Sequence, residues 1–96
     1  MYAAAVRCEL FLPAVHSLKE KRRVLKPLIV GLRRRFGVSV AEVGHLDAWQ
    51  RSVVAVAAVT SHPQLLQELL MAVRDFIDTA DELELVVFDV THMEPA

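Results

Sequence analysis

Val38–Thr60, VSVAEVGHLDAWQRSVVAVAAVT, is the stretch whose reading decides the fold. Val38 to Gly44 and Gln50 to Thr60 are both rich in β-branched residues, and only the short segment His45 to Trp49 lies between them. Two such runs with so short a connection read as a hairpin of two strands. On the N-terminal side the period changes. From Leu18 to about Arg35 apolar residues recur at helical spacing, and before that Tyr2 to Leu12 alternates, with Tyr2, Ala4, Val6, Cys8, Leu10 and Leu12 on one side. Ser17 followed by Glu20 has the spacing of a capping box at the helix start, and Gly37 suits a left-handed cap at its end. On the C-terminal side Ser61 and Gln64 repeat the capping-box spacing, with Pro63 in the first turn. A second helix runs to about Thr79, with Leu65, Leu66, Leu69, Leu70, Val73, Phe76 and Ile77 on its core side; a turn at Asp81 and Glu82 follows, then a strand from Leu83 to Met93 in which Leu83, Leu85 and Val87 alternate with Val86, Phe88 and Val90, and Glu94 to Ala96 is a tail.

The order βαββαβ predicts an α+β domain of the ferredoxin-like kind, with both helices on one face of a four-stranded antiparallel sheet. Ninety-six residues suffice for one such domain, residues 1–96, and for no second. Hydrophobic residues make up 54% and charged residues 24%, with only three Gly and four Pro, so collagen-like, low-complexity and disordered classes are excluded. No apolar run approaches a membrane span of roughly 18 residues and Met1 to Arg7 has no signal-peptide pattern, so a cytoplasmic protein without a membrane partner is expected. The absence of Asn, with three Gln in all, suits a thermophile.

The net charge of −1 hides an asymmetry: residues 1–51 hold ten Lys/Arg against four Asp/Glu, and residues 52–96 hold one against eight. A surface field, and not the total charge, must therefore carry any electrostatic argument about partners. At 100° per residue from Leu18, Leu25, Leu28, Ile29, Leu32 and Phe36 fall in a stripe from about 280° to 20°, which faces the sheet. Lys19, Arg22, Arg23, Lys26, Arg33 and Arg34 fall together between about 40° and 160°, and Pro27 lies near 180°, away from the core. Glu20 is the only acid between Lys19 and Arg35, so i to i+4 pairing cannot neutralise this flank. It spans about 22 Å of helix axis, enough to meet several backbone phosphates, and RNA is the ligand that it suggests. The bland alternative is a solvated helix face whose long stems cover apolar surface, or one neutralised by the acidic second half.

A second candidate site is the hairpin group Glu42, His45, Asp47, Gln50 and Arg51 with Trp49 among them. Two carboxylates around an imidazole are the elements of acid–base work, although hairpin turns are polar for solubility alone. Trp49 suits stacking on an unpaired base, against the plainer role of capping the core edge. No metal is expected, because His16, His45, His62 and His92 have no ligand spacing, and no cofactor is expected without a phosphate-cradling glycine loop. Cys8 reads as a small buried hydrophobe. The run Val53 to Val59 and the last strand are apolar on both sides, which predicts a homodimer through the open sheet face or a sheet edge. Strand three lacks the aromatics with which RNA-recognition motifs use that face.

HSLKEKRRVLKPL at His16–Leu28 and RRFGVSVAEVGHLDAWQRSV at Arg34–Val53 resemble the bacterial YlxP-like family, most specifically at Ser17, Leu18, Lys19, Lys21, Arg22, Phe36, Ala41, Glu42, Val43, Trp49 and Gln50. The resemblance implies a ferredoxin-like domain of undetermined function, encoded in many bacteria near translation initiation and ribosome maturation factors. It supplies no catalytic residues. The chain is therefore expected to be a binding module and not an enzyme, meeting RNA or the ribosome through the basic flank. A small-ligand regulatory domain or a purely dimeric interaction domain is the alternative.

Overall fold

In a computed structural model that describes residues 1–93, the chain runs β1 (Tyr2–Phe11), α1 (Leu18–Phe36), β2 (Ser39–Gly44), β3 (Arg51–Thr60), α2 (Pro63–Asp78) and β4 (Glu84–Met93). The expected tail, Glu94–Ala96, lies outside the described residues. The strands form one antiparallel sheet in the order β2-β3-β1-β4, the ferredoxin-like arrangement that the element order predicts.

The helices lie against the face that carries Ala4, Val6, Cys8 and Leu10 of β1 and, in register opposite them, Ala58, Val56, Val54 and Ser52 of β3. All eight are buried, as are Leu25, Leu28 and Leu32 of α1 and Leu66, Leu70, Val73 and Ile77 of α2. At the C-terminal end of α1, Phe36 meets Phe76 of α2 edge to face at 5.7 Å, and the Arg35 guanidinium stacks 5.6 Å from the Phe76 ring.

The capping box opens α1: Ser17 Oγ accepts from the Glu20 amide at 3.1 Å, and Glu20 Oε2 accepts from the backbone of His16 at 3.0 Å, one residue earlier than in the standard pattern. Gly37 ends the helix at φ 64 and donates its amide to Arg33 O. Pro27 is exposed inside a continuous helix.

Three expectations need correction. Ser61 does not cap α2; His62 occupies the N-cap without a side-chain bond, because the chain stays extended through His62 and Pro63 takes the first helical position. Leu65, expected in the core, is 48% exposed, at the edge of a stripe that Leu66 and Leu70 already fill. In β4 the expected alternation, Leu83, Leu85 and Val87 against Val86, Phe88 and Val90, is broken by a bulge. Leu10 pairs with Leu85 and Glu9 with Val87, so Val86 is inserted and Leu85 joins Phe88 and Val90 on the core side. Lys21 lies on the helix's buried face, where no sequence reading placed it.

Candidate functional site

Lys21 lies near 300° on the wheel of α1, inside the apolar stripe, and is 2% exposed. A buried ammonium must have its three N–H groups and its charge satisfied. Here Nζ donates to the carbonyls of His45 (2.8 Å), Ala48 (2.7 Å) and Arg51 (3.2 Å), and pairs with Glu42 Oε2 at 2.8 Å. Ser52, fully buried, donates its hydroxyl to the same Glu42 oxygen at 2.8 Å. The cluster ties the helix to the β2–β3 connection from beneath. Among the described residues no buried side-chain polar atom is left without a partner.

The backbone of the connection is shaped to fit. Gly44 faces Val53 across a bulge at Val43, and a Cβ on Gly44 would come within 2.9 Å of the Val53 side chain, a distance that only glycine avoids. His45 adopts the left-handed conformation at φ 53, and its carbonyl also accepts from the Ala48 amide at 3.0 Å. On the other flank Gln50 accepts from the Leu12 amide at 2.8 Å through its carbonyl and donates through Nε2 to Pro13 O at 3.2 Å. Trp49, carried by this frame, is 53% exposed and caps no core edge.

The hairpin group of the sequence thus divides in two. Glu42 and the carbonyls of His45 and Arg51 belong to the Lys21 cluster, and the Gln50 side chain is engaged with Pro13. That engagement takes Glu42 out of the acid–base trio with His45 and Asp47. The side chains of His45, Asp47, Trp49 and Arg51 remain exposed. Sequence reasoning placed Lys21 neither in the site nor in the core, although the same 100° wheel that sorted the cations puts it among the leucines.

The cationic flank is exposed along its whole length: Lys19, Arg22, Arg23, Lys26, Arg33 and Arg34 all reach solvent. Two of the six have protein partners. Arg33 donates a guanidinium N–H to the Val40 carbonyl of the edge strand β2, which satisfies an edge acceptor and places this part of the flank over that edge. Arg23 lies 3.5 Å from Glu82, a pair with both side chains more than half exposed and worth about 1 kcal/mol or less. Lys19, Arg22, Lys26 and Arg34 have no carboxylate partner among the described residues.

The opposite face of the sheet is open. Its centre is built of small residues, Ala5 facing Ala57, and Ala41 facing Ala55; Arg7 of β1 pairs with Glu9 at 3.3 Å and stands in register beside Asp89. At one end Val59 and Met93, which flank Ala3 in register, are 65% and 60% exposed. Cys8 is buried on the helix side, where desolvation raises its thiol from 9.0 to about 11. No helix among the described residues is long and apolar enough to cross a membrane, and no three of their His, Cys, Asp and Glu side chains come together as metal ligands would.

Fold and site together define a small ferredoxin-like domain with a lysine-clamped hairpin and a basic helix flank. The chain belongs to the family described as "Protein of unknown function (DUF503)", whose model matches residues 3–90. It is similar to the "Uncharacterized protein YlxP" of Bacillus subtilis (strain 168), with 40% identity over 77 residues, covering 80% of this chain and 84% of that protein. The resemblance read from the two sequence stretches is thereby shown.

Proposed function

We propose that this protein is a cytoplasmic binding module, without a catalytic step of its own, that meets RNA or the ribosome through the basic flank of α1. One observation carries the reading: Lys19, Arg22, Lys26 and Arg34 project from a single helix with no carboxylate partner among the described residues. Like charges this close destabilise the isolated helix by a few tenths of a kcal/mol per pair, a cost that an anionic partner removes. A row of cations along a rigid rod suits a phosphate backbone better than a point ligand. The test is cosedimentation with ribosomal subunits over a salt series. Wild type should bind with a log–log salt slope of roughly −0.7 per single-stranded phosphate contacted, and the triple variant Arg22→Glu, Lys26→Glu, Arg34→Glu should not bind. Arg34 is preferred to Arg33 in that variant because Arg33 also holds Val40, so its loss would perturb the β2 edge. A wild type that never sediments with ribosomal subunits defeats the reading.

The open sheet face supports a second reading, that of a homodimerisation surface with or without a ligand. Its small-residue centre permits close approach, and Arg7 set beside Glu9 and Asp89 gives the face both signs of charge, as a two-fold interface requires. Sedimentation equilibrium of wild type and of Ala5→Glu measures it: a dimer that the substitution converts to monomer supports this reading, and a monomeric wild type ends it.

A further inference from the structure

Beside the Lys21 cluster the surface holds a shallow groove of about 400 Å³, lined by Phe11, Asp47, Ala48, Trp49, Gln50 and Arg51. Phe11 and Arg51 stand directly opposite each other in the β1–β3 register, and Trp49 precedes Arg51 by two residues. The chain's one tryptophan and a phenylalanine 37% exposed therefore share a concave surface with an exposed guanidinium. Large aromatics contribute most to stability when buried, so an outward-facing indole forgoes that contribution. Floppiness does not explain its position. The loop beneath it is held by three bonds from Lys21 and by the two bonds of Gln50, and none of them involves the indole. A stiff loop that presents an unused aromatic loses little entropy when a ligand arrives.

We infer that Phe11, Trp49 and Arg51 form a stacking site for an unpaired RNA base, and this inference rests on the RNA reading of the helix flank. Aromatic rings and guanidinium planes are the side chains on which splayed-out bases stack, and every base offers a π-face. Arg51 gives the groove its own cation, within reach of a phosphate next to the stacked base, on the sheet face away from the helices, because Phe11 and Arg51 alternate with the core-facing Leu10 and Ser52. Asp47, the one carboxylate on the groove, supplies an acceptor for the exocyclic amine of a base. The division of labour follows: the helix flank holds phosphates, and the groove holds a base that duplex RNA keeps stacked inside.

Because Trp49 is the sole tryptophan, its emission reports on the groove alone. The full chain is titrated at low salt with a fluorescein-labelled ten-nucleotide RNA containing adenine and cytosine, both single-stranded and annealed to its complement. Label anisotropy gives binding, and indole emission gives stacking. The expected result is quenching of Trp49 in step with single-strand binding and none with duplex, an affinity loss of roughly tenfold for Trp49→Ala, and recovery of most of it in Trp49→Phe. If the RNA binds with Trp49 unquenched and Trp49→Ala retains full affinity, the groove is not a base site, while the helix-flank reading stands. If the RNA binds neither wild type nor variants, both fall.

Discussion

Lys21 and Arg22 are neighbours in sequence and both carry a positive charge, yet they lie on opposite sides of a boundary. Lys21 is 2% exposed, with a carboxylate and three carbonyls around its nitrogen; Arg22 is exposed and has no partner among the described residues. The 100° between consecutive residues of a helix turns one toward the sheet and the other toward water. A cation's role on this helix therefore follows from its angle and not from its type. On the inner side a charge is tolerated because a loop and a strand supply its ligands. On the outer side Lys19, Arg22, Lys26 and Arg34 have no carboxylate partner among the described residues. The inner arrangement also serves the outer one, since the same ammonium that fills the gap beneath the hairpin fixes the surface from which Trp49 projects.

The largest effect expected is from breaking the inner side. Lys21→Met keeps the stem and removes the ammonium, leaving three carbonyls and the Glu42 carboxylate without their donor. Removing one member of a buried pair costs about 3–5 kcal/mol. Glu42 retains Ser52 as a donor and some solvent access, so about 3 kcal/mol is expected, read as a lower midpoint in urea with an unchanged slope. A loss below 1 kcal/mol would mean that water replaces the ammonium and that the cluster is not what holds the hairpin. Substituting Glu42 together with Lys21, as Glu42→Gln in the Lys21→Met chain, should recover part of the loss, because the uncompensated charge goes as well.

Cys8 sharpens the contrast, for it is an ionisable group buried with no partner among the described residues to support its charge. Desolvation holds its thiol at about 11 against an ordinary 9.0, so the native state keeps a proton that the unfolded chain releases. Between pH 9 and pH 11 the unfolded state therefore binds fewer protons than the native state, and stability falls as pH rises; below 9 the contribution is fully present. The expected loss across that window is about 2–3 kcal/mol. Unfolding by urea at pH 8, 9, 10 and 11, in wild type and Cys8→Ala, isolates it: the cysteine's share of the alkaline slope should vanish in the variant. Equal slopes would show that Cys8 ionises freely in the folded chain.

How much of this was legible in the sequence depends on whether a signal was local. Ser17 with Glu20, Gly37 as a left-handed cap and the alternation of β1 are patterns within a few residues, and the structure places all three as expected. The start of α2 is not legible in this way, because Ser61 and Gln64 have the spacing of a capping box while the chain stays extended through His62, which spacing does not reveal. The bulge at Val86 was invisible because strict alternation has no place for an inserted residue, and only the partner strand shows it. Lys21 was the costliest omission. The helical wheel located it correctly, but a lysine in an apolar stripe is readable as buried only when its ligands are known, and those come from 21 to 30 residues away. The same long reach separates Phe11 from Trp49 and Arg51, so the groove they share appears only when β1 and β3 pair.

The smallest effect belongs to the outer side, and its sign decides between the two meanings of an exposed charge. If Lys19, Arg22, Lys26 and Arg34 only keep the helix soluble, neutralising one removes a favourable solvation and leaves stability unchanged. If they are crowded because a partner needs them crowded, Arg22→Gln or Lys26→Gln relieves repulsion and stabilises the free protein by about 0.2–0.5 kcal/mol. That gain should fade as salt is raised toward 1 M, where the screening length falls to about 3 Å. Arg33→Gln supplies the internal control, since Arg33 sits on the same flank but donates to Val40; its loss should destabilise by about 1 kcal/mol, whatever the salt. Urea midpoints for the three variants at 0.05 M and 1 M NaCl separate these cases. A flank whose free cations and whose bonded Arg33 respond alike would have no strain to give up to an anionic partner, and the sorting of charge along α1 would then be a matter of solubility alone.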